Sequence, residues 1–91
     1  MVTTLNFTKQ GDHYSASFTS QGDAIVQMMR TGAGYINVLA NIEGMYAKSI
    51  ASWSQYDGNV NMLFRLCLPK GLIVTIESGS EVSTAKVLYE E

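Results

Sequence analysis

Charge is scarce in this chain. Asp, Glu, Lys and Arg make up 15% of its 91 residues, against roughly 25% in an ordinary soluble domain. Ser, Thr, Asn and Gln supply the polarity instead. A surface of hydroxyls and amides repels its neighbours weakly, so association with other subunits is expected. The basic residues Lys9, Arg30, Lys48, Arg65, Lys70 and Lys86 are spread along the chain, and the net charge is −2. Nucleic acid needs a concentrated Lys/Arg face; no such partner is expected here.

Other absences narrow the chemistry. The single cysteine, Cys67, excludes an intrachain disulfide. With His13 as the only histidine, the chain lacks the ligands of a structural zinc site. Neither Cys67 nor His13 lies in a sequence that marks it as activated, so no catalytic residue is expected. Asp12, Asp23, Glu43, Asp57, Glu77 and Glu81 fall at turns or strand ends, where solvated carboxylates are ordinary. Asp57, Asn59 and Asn61 alternate as calcium ligands do, but Asp57-Gly58 is also a hairpin turn signal and no second carboxylate is near. No metal and no cofactor are expected. No apolar run approaches the ~20 residues of a transmembrane helix, and the N-terminus lacks the basic-then-apolar order of a signal peptide. No membrane partner is expected. The chain is expected to be made in the cytoplasm and to be available for incorporation into an assembly.

What is present is alternation. Period two marks half-buried strands. In 3–8, Leu5 and Phe7 share a face; in 13–19, Tyr14, Ala16 and Phe18 do. With Gly11-Asp12 between them, the two runs are predicted to form a hairpin. Residues 24–30 read as a strand, with Ile25, Gln27 and Met29 opposite Val26, Met28 and Arg30. A short helix capped by Asp23 is the alternative. In 35–43, Ile36, Val38, Ala40 and Ile42 form the inner set. In 45–54, Ala47, Ser49, Ala51 and Trp53 oppose Tyr46, Lys48, Ile50 and Ser52. The last strand sets Ser83, Ala85, Val87 and Tyr89 against Val82, Thr84, Lys86 and Leu88.

The longest apolar stretch lies between these. Val60, Met62, Phe64, Leu66 and Leu68 share one face. Pro69-Lys70-Gly71 then breaks the run, because Pro has no N–H for a ladder. Leu72, Val74 and Ile76 follow on the inner side. Residues 59–77 are predicted to be the central hairpin. This stretch resembles the closing hairpin of jelly-roll domains in oligomeric virion and fibre proteins, over residues 59–78. The resemblance implies a structural role within an assembly. Turn signals recur about every ten residues, a rhythm of sandwiches and barrels. The expected fold is a single all-β domain over 1–91. It is a small antiparallel β-sandwich, jelly-roll-like, or a small barrel, of about seven to eight strands.

Two surfaces stand out as candidates. Leu39, Leu63, Ile73 and Leu88 lie opposite the inner sets; clustered, they would mark an interface with copies of the chain or with other protein subunits. Trp53 and Tyr56, with Asp57 and Asn59, would suit a sugar, whose apolar face is ringed by hydroxyls. The leading expectation is a non-enzymatic structural protein acting through subunit contacts. The alternative is a small carbohydrate-binding module with a glycan as ligand.

Overall fold

In the computed structural model, residues 1–56, 58 and 60–89 are described. The alternating runs become nine strands and, among the described residues, no helix. They are β1 (Val2–Thr4), β2 (Thr8–Gln10), β3 (His13–Thr19), β4 (Ala24–Arg30), β5 (Ile36–Asn41), β6 (Lys48–Trp53), β7 (Asn61–Leu66), β8 (Ile73–Ser78) and β9 (Val82–Tyr89). One sheet has the order β1-β9-β4-β7 and the other β2-β3-β8-β5-β6. Every pairing between neighbours is antiparallel.

This is a sandwich of two open sheets, with no closed barrel. Apart from the short β2, the strands pair first with last, second with next-to-last, and so inward. A long hairpin rolled into two sheets has this connectivity, and it is the jelly-roll order.

Between the sheets lies one core. The four-stranded sheet contributes Ala24, Val26, Met28, Met62, Leu66, Ala85, Val87 and Tyr89. The five-stranded sheet contributes Ala16, Ile36, Val38, Val74 and Ile76. Val26, Met28, Ile36, Val38, Val74, Ile76 and Val87 are wholly enclosed. Burying each such side chain stabilises by roughly 1.5–3 kcal/mol. Residues 24–30 take the strand alternative because both sides of β4 are filled, by β9 and by β7. A helix there would leave two ladders unmade.

Several expectations are corrected. Residues 59–77 are not a hairpin. β7 is an edge of the four-stranded sheet, while β8 lies between β3 and β5 in the other. Pro69-Lys70-Gly71 belongs to a crossing between sheets, pinned by Gly71 N–H to the Ser20 carbonyl and Ser20 N–H to the Leu72 carbonyl, both at 2.8 Å. Two inward-facing apolar sets satisfy each other across a sandwich as well as side by side, so alternation alone does not say which. The first run divides likewise. β1 pairs with β9 and β2 with β3, and the chain changes sheet between them. Leu5 is buried at that crossing, its N–H bonded to the Ala85 carbonyl at 2.9 Å. Only the β2–β3 part of the predicted hairpin forms, around Gly11 at φ 68°. Ile42 and Val60 lie just beyond strand ends and are exposed, as are Ala47 and Ser49 near the β6 edge and Ser83 on β9.

One end of the sandwich is clasped by polar groups. Arg30 is buried and donates from Nη1 to the Gly34 carbonyl at 2.6 Å. Ser80 Oγ donates to the Gly32 carbonyl at 3.0 Å, and Gly79 N–H to the Tyr35 carbonyl at 2.9 Å. The two segments touch so closely that a Cβ on Gly34 would lie 3.0 Å from the Gly79 carbonyl carbon. The Gly32-Ala33-Gly34 turn is thus a packing element.

Candidate functional site

The outer faces follow from register. On the four-stranded sheet, Val2 is opposite Leu88, Leu88 opposite Ile25, and Ile25 opposite Arg65. The next outward row runs Thr4, Lys86, Gln27, Leu63, and the next Thr84, Met29, Asn61. Val2, Met29, Leu63 and Leu88 are exposed by 59%, 46%, 67% and 47%, and Ile25 is half-buried. Five apolar side chains therefore occupy neighbouring outward positions on all four strands.

Gln27 and Lys86 cross the middle of this face. Gln27 Nε2 donates to Asn61 Oδ1 at 2.9 Å, tying β4 to the edge strand. On one side lies a groove of about 210 Å³ lined by Val2, Ile25, Gln27, Leu63, Lys86 and Leu88. On the other is a groove of about 240 Å³ lined by Gln27, Met29, Thr84, Ala85 and Lys86. Both fall below the roughly 300–1,000 Å³ of small-molecule pockets. The shape is that of a broad, lightly furrowed surface.

The outer face of the five-stranded sheet has other chemistry. Its rows include Thr8, Ser15, Glu77, Asn37 and Ser52, then Ser17, Thr75 and Leu39, then Thr19, Ile73 and Asn41. Ser17 and Thr75 hydroxyls hydrogen-bond at 3.0 Å, and Ser49 Oγ donates to Asn37 Oδ1 at 2.6 Å. At one end His13 lies 3.3 Å from Asp12 Oδ1 and 3.4 Å from Glu77 Oε2. Burial raises the Tyr35 phenol above the ordinary tyrosine range, and the charges of Glu77 and Asp12 add to it. Burial raises Tyr89 likewise.

The four residues predicted to form one interface are split. Leu63 and Leu88 lie on the apolar outer face. Leu39 and Ile73 lie half-buried on the polar one. The sugar-platform residues are also divided in role. Trp53 is half-buried between the sheets, its ring 5.1 Å from that of Phe64 and tilted by 46°. Tyr56 is 84% exposed. Asp57 and Asn59, two of the three residues of the alternating calcium set, fall outside the described residues, and the third, Asn61, accepts from Gln27. Among the described residues no three His, Cys, Asp or Glu side chains gather closely enough to hold a metal ion.

Cys67 and His13 are at opposite ends of the sandwich. Cys67 follows Leu66, which pairs with Ala24 just after the end of β3. His13 begins β3. Six strand steps of about 3.3 Å separate those ends by roughly 20 Å. They cannot act together as nucleophile and base within one chain.

Sequence reasoning missed Val2, Ile25 and Met29 as part of the apolar face. Their signal was present: the outward positions of 24–30 are as apolar as many inward ones. It also missed the tip between β5 and β6, where Ile42, Met45 and Tyr46 are exposed by 69%, 68% and 100%. Met45 N–H closes that turn on the Ile42 carbonyl at 2.9 Å.

Comparison with known protein families, curated proteins and solved structures gives no match for this chain.

Proposed function

We propose that this is a non-enzymatic structural protein that acts through contacts between subunits, in the manner of virion- or fibre-type β-sandwiches. The observation that carries the reading is the outer face of the four-stranded sheet, where Val2, Leu88 and Ile25 stand in one row and Leu63 and Met29 follow diagonally on the next two. Contiguous exposed apolar surface of this kind marks interaction sites. Covering it removes apolar area from water, worth roughly 25 cal/mol per Å² before the costs of association. Low charge supports the same reading, since little repulsion opposes close approach. Jelly rolls occur both in capsids and in lectins, so the surface and not the fold decides.

Size-exclusion chromatography with light scattering tests the proposal. The expected result is a mass above 10.0 kDa that grows with concentration. A strictly monomeric protein at every attainable concentration contradicts contacts between copies. The carbohydrate-binding reading keeps one supporting observation, the exposure of Tyr56. A glycan array with a Tyr56→Ala control tests it: binding lost in the control favours it, and no binding at all removes it.

A further inference from the structure

We infer that the partner is a second copy of the chain, and that the two copies pair antiparallel along β7 with Leu63 opposite Leu63. This rests on the subunit-contact reading and gives it a geometry.

The edges of the two sheets are unequal. Natural sheets block open edges with short strands, bulges or charged side chains, since unpaired main-chain groups invite another strand. β1 and β2 are three residues each. β6 begins at Lys48, and its register shifts where Val38 pairs with Ala51 but Leu39 with Ser49. Ile50 is the extra residue of that bulge. β7 is neither short nor bulged, and its one charged residue, Arg65, lies toward its end. It is six residues long, and its register with β4 runs unbroken from Leu66 to Asn61. Among the described residues, no strand lies on its far side.

Alternation sets which groups face that side. The Arg30 N–H bonds to the Val60 carbonyl at 2.7 Å. In an antiparallel ladder the bonded pairs alternate, so Met62, Phe64 and Leu66 turn their main chain toward β4. Asn61, Leu63 and Arg65 turn theirs outward, while their side chains lie on the apolar face.

The sequence of this edge complements itself. A two-fold axis at Leu63 gives Leu63 exchanging main-chain bonds with its copy. Asn61, whose Oδ1 accepts from Gln27 Nε2, then stands opposite Arg65, so that no like charges are opposed. An axis at Arg65 would set two like charges opposite each other, which destabilises. In-register parallel pairing would do the same. An axis at Asn61 would leave most of the strand unpaired. An axis at Met62 or Phe64 would set Leu63 against Asn61 or Arg65, whereas the axis at Leu63 sets the two apolar side chains against each other; that pairing is isologous and closes as a dimer. It joins two four-stranded sheets into one and extends the apolar rows across the axis.

Cysteine cross-linking on a Cys67→Ser background tests the register. Leu63→Cys is expected to form a disulfide-linked dimer under mild oxidation at least about tenfold faster than Met29→Cys, because only the former brings two Cα atoms within disulfide reach. In sedimentation velocity, Leu63→Lys is expected to weaken the dimer by about tenfold or more, since it opposes two ammonium groups. Circular dichroism checks that each variant folds; Leu63 is 67% exposed, and Leu63→Cys is the milder change. If the unmodified chain associates but Leu63→Lys does so equally, or Met29→Cys links as fast, the β7 pairing is wrong and the subunit-contact reading stands. If the unmodified chain never associates, both fall.

Discussion

The two sheets are alike inside and unlike outside. Each directs small and branched apolar residues inward, and Met28 of one and Ile76 of the other are equally enclosed. Outward, the five-stranded sheet displays Ser15, Ser17, Thr19, Thr75, Asn37 and Asn41, hydroxyls and amides that water can solvate. The four-stranded sheet displays Val2, Ile25, Met29, Leu63 and Leu88. An antiparallel sheet with one face in water ordinarily alternates apolar with polar. The five-stranded sheet largely follows that rule and the four-stranded sheet departs from it. The departure costs solubility without adding to the core; under the proposed function its benefit is contact with another subunit.

The comparison can be broken from the inside first. Ile76→Ala and Met28→Ala, one from each sheet, should each cost ~2–5 kcal/mol, a large share of the 5–15 kcal/mol that holds such a domain. Urea denaturation measures both. Similar losses would show that the inner faces contribute alike. Phe64→Ala should cost less than the ~3–5 kcal/mol of a fully buried phenylalanine, because Phe64 is only partly covered, against Trp53.

Substitutions outside should separate the faces. Leu88→Lys, two strands from the β7 edge, is expected to leave the β7-paired dimer intact and to weaken association beyond it about tenfold or more, while shifting the monomer's stability within about 0.5 kcal/mol. Thr19→Lys and Ser52→Lys, exposed on the other face, should leave association unchanged. Sedimentation velocity reads both arms.

The smallest effect is one of pH. Burial raises the phenols of Tyr35 and Tyr89 in the folded chain. Above about pH 10 the unfolded chain gives up these protons first, so it binds fewer than the folded one and stability falls as pH rises. Below that value both states keep their phenol protons, and these two groups add no slope. Thermal unfolding across alkaline pH, with Tyr35→Phe and Tyr89→Phe controls, checks this. The slope should diminish in each control.

Much of this was legible in the sequence, for a definite reason. Period two fixes which residues share a face, and the inward sets around Val26, Ile36, Val74 and Val87 follow from it. Partner choice does not. The 59–77 stretch reads as a hairpin because Met62 and Leu66 must meet apolar residues, but alternation is silent on whether they meet across a sandwich or along a ladder. Leu5 and Phe7 look like neighbours in one strand, although the chain turns from one sheet to the other around them. Ile42 shows the limit at a strand end, where an alternating residue outruns its ladder and becomes exposed. Leu63 and Leu88 face outward on the four-stranded sheet, as their placement opposite the inner sets implied. Leu39 and Ile73 carried the same signal yet lie on the other sheet, because facing outward does not say from which sheet. Val2 lies on the apolar outer face only because β1 pairs with β9, a long-range fact with no local trace.

Under the proposed function, the outer face of the four-stranded sheet carries the contact and that of the five-stranded sheet does not. Sedimentation equilibrium on the unmodified chain, on Leu63→Lys/Leu88→Lys and on Thr19→Lys/Ser52→Lys tests it most directly. The first and third are expected to rise above 10.0 kDa with concentration while the second stays at the monomer mass. Equal association of all three, or a unmodified chain that remains at 10.0 kDa throughout, would contradict it.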